Sequence, residues 1–426
     1  MNHRASVVTA ICMLILAVPA SSVTSLAEAD AIDSNPVILD MVERVNESMV
    51  LYYLDSLMSF GPRYTGSENC SAAAQWIHNE FTAMGLDTHF DTWSYAGFSS
   101  QNVVATLKGS DNAEIILSAH YDCTPGSLGA DDDGSGIATM MTAAELMSQH
   151  TFNHTVRFIA FSGEEVGTYG SFSYARQAYE RGDTIRAVVN LDMVGYADTA
   201  RGGSMVRMFS TERTEWLADF SRDVTARYPS LDMSVDVVPN YRGADHQAFL
   251  DYGYDAAFYA HVDGYPWANS PEDTPDHLNH TYQVKATRYF LALTAELALQ
   301  KVPLQVHIMA PREGQLYLGN LPLLPLAGGR LWFTGLRGAT VLLGSTTATV
   351  SVSSIHEVEK VIFCIDDIFI TWDSSPPYEW RIQGKHAPPL GRHTLRVVAY
   401  DTEGNVASDE MDIVIVTLAY QYAPWH

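Results

Sequence analysis

Cysteine is scarce in this chain. Four residues in 426 are too few for a disulfide-built scaffold, so stability has to come from an apolar core. Basic residues are scarce beside acidic ones, 25 Lys plus Arg against 50 Asp plus Glu. The formal net charge of -25 argues against nucleic acid or anionic membrane as partners and favours solubility or cation binding. Beyond Ala27 no stretch is apolar enough to span a bilayer. Internal repeats and long low-complexity linkers are missing too. What remains is a globular composition, 47% hydrophobic and 18% charged, at a length that calls for more than one domain.

The opening "MNHRASVVTAICMLILAVPASSVTSLA" has a short basic start at His3 and Arg4, an apolar stretch, and small residues up to Ala27. Residues 1–27 therefore read as a secretory signal peptide, which places the mature protein outside the cell, secreted or at the cell surface. An uncleaved anchor is the alternative, disfavoured because the apolar core is short and interrupted. Cys12 leaves with the signal and Cys70, Cys123 and Cys364 remain. Cys70 with Cys123 is the preferred disulfide pair, since both lie in the first domain. Asn46, Asn69, Asn153 and Asn279 each open an Asn-x-Ser/Thr triplet, a frequent pattern.

From about residue 40 to 300, short apolar runs ("NVVATL", "EIILSAH", "VRFIAFS", "AVVNLDM", "DAAFYAH") alternate with amphipathic stretches such as "SGIATMMTAAELMSQ" and "VKATRYFLALTAELALQ". That alternation predicts an α/β domain over 28–302, a mostly parallel central sheet flanked by helices. After Lys301 the runs are short, β-rich and broken by Gly, Pro and Asp, as in "TATVSVSS", "KVIFCID" and "HTLRVVAYD". Residues 303–426 are expected to form an antiparallel, all-β immunoglobulin-like sandwich, like modules appended to many secreted microbial enzymes. Asp366, Asp367 and Asp373 lie in its turns as calcium candidates or plain loop acids.

Candidate chemistry sits where strands end. Ligands in open α/β sheets gather beyond the carboxyl ends of strands. His120 ends "EIILSAH", and Asp122 two residues later is placed to hold the imidazole's other nitrogen. Asp131, Asp132 and Asp133 precede the "SGIATMM" helix; one acid suffices for capping, so three in succession favour a cation among them. Glu164 and Glu165 follow the next strand, where one carboxylate can ligate a metal and the other take a proton from metal-bound water. Asp192 ends a third. Each alone is ordinary turn decoration, but the set is not.

In this order, "SAHYD", "GADDDGSG", "FSGEEVGTYGS" and "NLDMVGY" resemble the co-catalytic di-zinc exopeptidases, which include secreted aminopeptidases, glutamate carboxypeptidase and glutaminyl cyclases. The resemblance covers about residues 45–300. It implies two zinc ions: His120 and Asp192 on one, Glu165 on the other, Asp132 bridging. It also implies Glu164 as general base and Asp122 as the partner of His120. By the match of "NYRGADHQAF", Tyr241 would hydrogen-bond the developing oxyanion, with Asp245 and His246 in supporting places.

The departure is "WANSPEDTPDHLN", where Asn269 stands at the position of the relatives' last zinc-binding histidine. An amide oxygen is a weaker zinc ligand than imidazole, and His261 and His277 are the nearby substitutes. The favoured function is a secreted zinc-dependent aminopeptidase acting on the N-terminal residues of peptides. Carboxypeptidase action, a single-zinc glutaminyl cyclase-like enzyme, and an inactive binding or adhesion protein with cell-surface contact through its β-sandwich stay open.

Overall fold

The computed structural model describes residues 34–300, 304–326, 340–354, 356–383 and 388–416; the expected signal peptide lies outside them. Short polar side chains set where the first helices begin. Asn35 accepts from Val37 N ahead of α1 (Pro36–Arg44), Asn46 from Met49 N ahead of α2 (Glu47–Met58), and Ser67 from Cys70 N ahead of α3 (Glu68–Ala83). Further on come α4 (Gly136–Met147), α5 (Tyr169–Arg181), α6 (Glu215–Arg227), α7 (His246–Asp251) and α8 (His280–Leu299). Asn279 caps the last of these by accepting from Tyr282 N. Asn46 and Asn279, noted above as glycosylation triplets, thus spend their side chains on helix starts.

Eight strands form one sheet: β1 (Asp87–Tyr95), β2 (Phe98–Leu107), β3 (Ala113–His120), β4 (Thr155–Phe161), β5 (Thr184–Leu191), β6 (Met205–Ser210), β7 (Ser234–Pro239) and β8 (Ala256–His261). Their order is β1-β2-β4-β3-β5-β8-β6-β7. The four central strands β4, β3, β5 and β8 run parallel, as expected. The edges do not: β1 and β2 pair antiparallel with each other, β2 with β4, and β6 with β8, so the sheet is mixed. Every residue of β3 is buried, because helices cover both faces. Ile115 and Leu117 face the core built with α2, α3, α4 and α8, whereas Ile116 faces α5 and α7.

Register then decides where chemistry can sit. His120 pairs with Phe161 across β3 and β4, and Leu191 with Tyr259 across β5 and β8. The carboxyl ends of all four central strands therefore open on one edge of the sheet.

The β-rich region begins at β9 (Leu304–Ala310) and continues through β10 (Gln315–Leu318), β11 (Leu321–Pro325), β12 (Thr340–Leu343), β13 (Thr346–Ser354), β14 (Val358–Ile365), β15 (Ile368–Asp373), β16 (Tyr378–Ile382), β17 (Gly391–Asp401) and β18 (Val406–Val416). A seven-stranded and a three-stranded sheet enclose a core that includes Phe363, Trp380, Val397 and Ile413. Most pairs are antiparallel, but β12 runs parallel to both β10 and β18, which the expectation of a purely antiparallel sandwich did not include. The turn acids are already used: Asp366 pairs with His393 at 2.7 Å, Asp367 with Arg396 at 2.9 Å, and Asp373 accepts from Ser375 N and Glu379 N.

The expected Cys70–Cys123 disulfide is not formed, and both thiols are buried and free. Cys123 Sγ accepts from Arg63 N at 3.0 Å and donates to Ser127 O at 3.2 Å, while Cys70 Sγ lies 3.9 Å from Ser100 Oγ. Each sulfur is thereby turned to its own partner.

Candidate active site

The segment between β3 and α4 holds the acids, and each has a separate task. Gly129 enters it with φ +58°, and a Cβ there would lie 2.5 Å from Asp132 O and 2.7 Å from Cys123 Cβ, so only glycine fits. Asp131 ties the loop after β5 to the end of β8: Oδ1 accepts from Gly195 N at 2.8 Å and Oδ2 meets His261 Nε2 at 2.9 Å. Asp133 is a clamp, taking His120 N on Oδ2 and both Gly136 N and Met193 N on Oδ1. It fastens the end of β3, the start of α4 and the loop after β5 together.

Asp132, between them, faces the histidine. His120 Nε2 stands 3.2 Å from Asp132 Oδ1 and 3.8 Å from Asp192 Oδ1, yet it has no hydrogen-bond partner although the residue is 1% exposed. One ligand atom from each of His120, Asp132 and Asp192 lies within 4.8 Å of the others. On the ring's far side, Nδ1 is 3.1 Å from Asp122 O and 3.7 Å from Asp122 Oδ1. The backbone carbonyl is thus the nearer partner, not the carboxylate the sequence suggested. The Asp122 carboxylate instead accepts from Thr65 Oγ1 at 2.6 Å and from Glu164 N and Glu165 N at 3.3 and 3.4 Å.

Charge in this pocket is unbalanced. Among the described residues, no Lys or Arg side chain forms an ion pair with Asp132, Asp192, Glu164 or Glu165. Burial drives the Glu164 carboxyl well above its usual range, with Asp192 and Asp245 adding to the rise. Burial, and then Asp132, push Glu165 up to about 8. Burial works against a charged His120, but the Asp132 and Asp192 carboxylates outweigh it and hold the ring well above the ordinary imidazole range. Glu165 Oε1 is buried without a partner. Crowded carboxylates, an unpartnered imidazole nitrogen and an orphaned Glu oxygen are a donor set of the type zinc selects.

The remaining expectations are spread around this cluster, with Asp245 near enough to act on Glu164. Asn269 is exposed on a turn with φ +58°, and the next turn ends at Asp273, which accepts from Asp131 N and Asp132 N at 2.8 and 3.2 Å and from Tyr265 Oη at 2.8 Å. His261 is engaged with Asp131, and His277 stacks on Trp267 with centroids 3.8 Å apart; both are committed elsewhere. Tyr241 is 57% exposed, its ring against Phe209 and Phe258. Asp245 is buried with neither carboxylate oxygen hydrogen-bonded, and burial raises it to about 7. Sequence reasoning missed Thr65, Arg63 and Asp273. The first two lie in "GPRYTG", whose flanking glycines adopt φ +69° and +81°; that glycine spacing was the available signal.

Residues 102–294 match the model of Peptidase family M28. Leucine aminopeptidase 1 of Sclerotinia sclerotiorum is 25% identical over 288 residues, which cover 62% of this chain and 74% of that protein. LapB from Legionella pneumophila superposes with a TM-score of 0.58 at 24% identity, covering 63% of this chain and 76% of that one. A zinc aminopeptidase from Bacillus subtilis has the same fold, with a TM-score of 0.53, 17% identity, and coverage of 61% and 97%. The matched region is a metallopeptidase domain, and the strand ends that carry its cluster lie inside the family match.

Proposed function

From a metallopeptidase domain of family M28 with a buried imidazole and carboxylate centre, we infer that the chain is a secreted zinc aminopeptidase that removes N-terminal residues from peptides. The observation that carries this reading is the His120, Asp132 and Asp192 cluster, with Glu164 and Glu165 carried to the same sheet edge by β4. His120 and Asp192 would hold one zinc ion and Glu165 a second, with Asp132 shared between them. Zinc supplies Lewis-acid polarisation of a carbonyl and lowers the pKa of a water towards ~7.

The chain's own residues do the rest. Glu164 is the general base: desolvation strengthens its hold on a proton, so its carboxylate takes one from the attacking water and returns it to the leaving amine. Asp122 positions both glutamates by accepting their backbone N–H groups. Tyr241, exposed at the rim, would turn its hydroxyl towards the substrate's carbonyl oxygen. The surplus of carboxylates also suits a protonated substrate α-amine. Residues 1–27 direct export, 28–302 carry catalysis, and 303–426 form an immunoglobulin-like module available for contact with a cell surface.

Hydrolysis of aminoacyl amides by the mature protein, tested beside Glu164→Gln, decides the reading. Activity in the first and its loss in the second are expected. Release of C-terminal residues, or cyclisation of N-terminal glutamine without peptide cleavage, would replace the aminopeptidase assignment.

A further inference from the structure

The turn between α2 and α3 holds a fully buried cation with no carboxylate bonded to it. Arg63 is 0% exposed, and its guanidinium donates only to backbone carbonyls: Nε to Tyr121 O at 2.8 Å, Nη1 to Leu128 O at 2.7 Å and to Gly61 O at 3.4 Å, and Nη2 to Gly129 O at 3.2 Å. Its own backbone accepts from Cys123 N at 3.4 Å and donates to Cys123 Sγ at 3.0 Å. One side chain therefore binds both ends of the Tyr121–Gly129 loop, the loop that connects His120 to the acidic turn. Burying a guanidinium is costly, and burial lowers its pKa. Such a group is retained where its fixed fork of donors is needed for geometry.

Two residues on, Thr65 is 3% exposed and its hydroxyl donates to Asp122 Oδ2 at 2.6 Å. That carboxylate also receives Glu164 N and Glu165 N, and Asp122's carbonyl stands beside His120 Nδ1. The Thr65 contact thus reaches both glutamates of the centre through the Asp122 carboxylate, and the histidine through the backbone carbonyl of the same residue.

We propose that Thr65 and Arg63 are positioning residues for this centre: Thr65 sets the orientation of Asp122, and Arg63 fixes the span from His120 to Gly129. The proposal rests on the zinc-peptidase reading. Neither residue touches substrate. Their role is to hold the ligands so that little reorganisation accompanies metal binding, and outer partners of this kind change metal affinity or activity by ~10–100-fold when lost.

The test compares the wild-type protein with Thr65→Val, Thr65→Ser and Arg63→Lys, by competition for zinc against a chromophoric chelator, by kcat and KM, and by thermal melting of the metal-free proteins. Thr65→Val keeps the shape and loses the donor. It is expected to weaken zinc binding and lower kcat by ~10-fold or more, with KM and the metal-free melt close to wild type. Thr65→Ser should restore both. Arg63→Lys, which cannot reach all of these carbonyls at once, should weaken zinc binding at least as much. A Thr65→Val protein that binds zinc and turns over like wild type overturns the proposal. So does a Thr65→Ser protein as impaired as Thr65→Val, since packing rather than the hydroxyl would then matter. Wild-type protein that takes up no zinc would instead overturn the underlying reading, and one that binds zinc without hydrolysis would still decide the proposal through the zinc measurement.

Discussion

His120 Nε2 faces Asp132 Oδ1 across 3.2 Å with no hydrogen bond between them, at the mouth of an edge where four parallel strands end. A buried imidazole nitrogen is seldom left unpaired. On the proposed zinc reading the pairing that resolves it would be a shared cation, so removing metal should destabilise the fold as well as stop hydrolysis. Exhaustive chelation is expected to lower the melting temperature, and zinc at 1,000 times its dissociation constant should return ~4 kcal/mol of stability. Calorimetry with and without zinc reads this directly, and a melt indifferent to zinc would contradict it.

Glu164→Gln should keep the fold and the zinc while losing the proton acceptor. A drop in kcat of ~10²–10⁴-fold is expected, with KM changed little. Initial rates on an aminoacyl amide, with metal content measured on the same preparations, separate lost base from lost metal.

How much of this was legible without the structure depends on the kind of interaction. His120, Glu164, Glu165 and Asp192 were readable because buried parallel strands are continuous apolar runs, and a polar residue that ends such a run announces itself. Helices α4 and α8 were visible for the same reason. The division of labour among Asp131, Asp132 and Asp133 was not, since it depends on Gly195, Met193 and His261, which arrive from distant strands. The strands β6 and β7 are short, and β7 carries only partly buried and exposed residues with no period. The cysteine pairing failed because pairing needs proximity and direction of two side chains, and here the Arg63 backbone already occupies one of them.

Asn269 lies in the turn before the one that ends at Asp273, which holds the backbone N–H groups of Asp131 and Asp132. The resemblance puts a zinc-binding histidine at position 269, so on that reading a better donor there should act on the proposed second ion. Zinc titration of wild type is expected to show a tight step and a weaker one, because on the proposed ligand set the second ion would have Glu165 and Asp132 but no imidazole. Asn269→His should tighten the weaker step by ~10-fold or more and leave the tight one unchanged. The left-handed backbone will cost the histidine some stability. Equal titration curves for the two proteins would place the second ion's remaining ligand elsewhere.

Arg213 carries the contact between the α/β region and the β-rich region. Its Nε pairs with Asp255 at 2.7 Å and Nη1 with Glu313 at 2.7 Å, and it also donates to Gly253 O. Beside it, Arg312 lies over the Tyr179 ring at 4.7 Å, at the margin of a cavity of about 920 Å³ between the regions. Arg213→Ala leaves Asp255 and Glu313 facing each other without their cation. Differential scanning calorimetry should show a lower-temperature shoulder as the β-rich region melts separately, with aminoacyl amide hydrolysis retained. A single, unshifted transition would mean that contacts other than those of Arg213 hold the regions together.

His246 gives the molecule a built-in sensitivity to acid. It is 0% exposed, and Nε2 meets Asn240 Oδ1 at 2.8 Å. Burial pulls its pKa down to about 3, so the folded protein keeps the ring neutral long after an unfolded chain would have protonated it. Between the ordinary imidazole value and about 3, the unfolded state binds the extra proton, so stability falls as pH falls, with a limiting slope of ~1.4 kcal/mol per pH unit. Above that window the ring is neutral in both states and contributes no slope. His246→Gln, which keeps a donor towards Asn240 and cannot titrate, should flatten the decline in melting temperature between about pH 6 and pH 4. Melts of both proteins across that range decide the point, and parallel curves would assign the acid sensitivity to other groups.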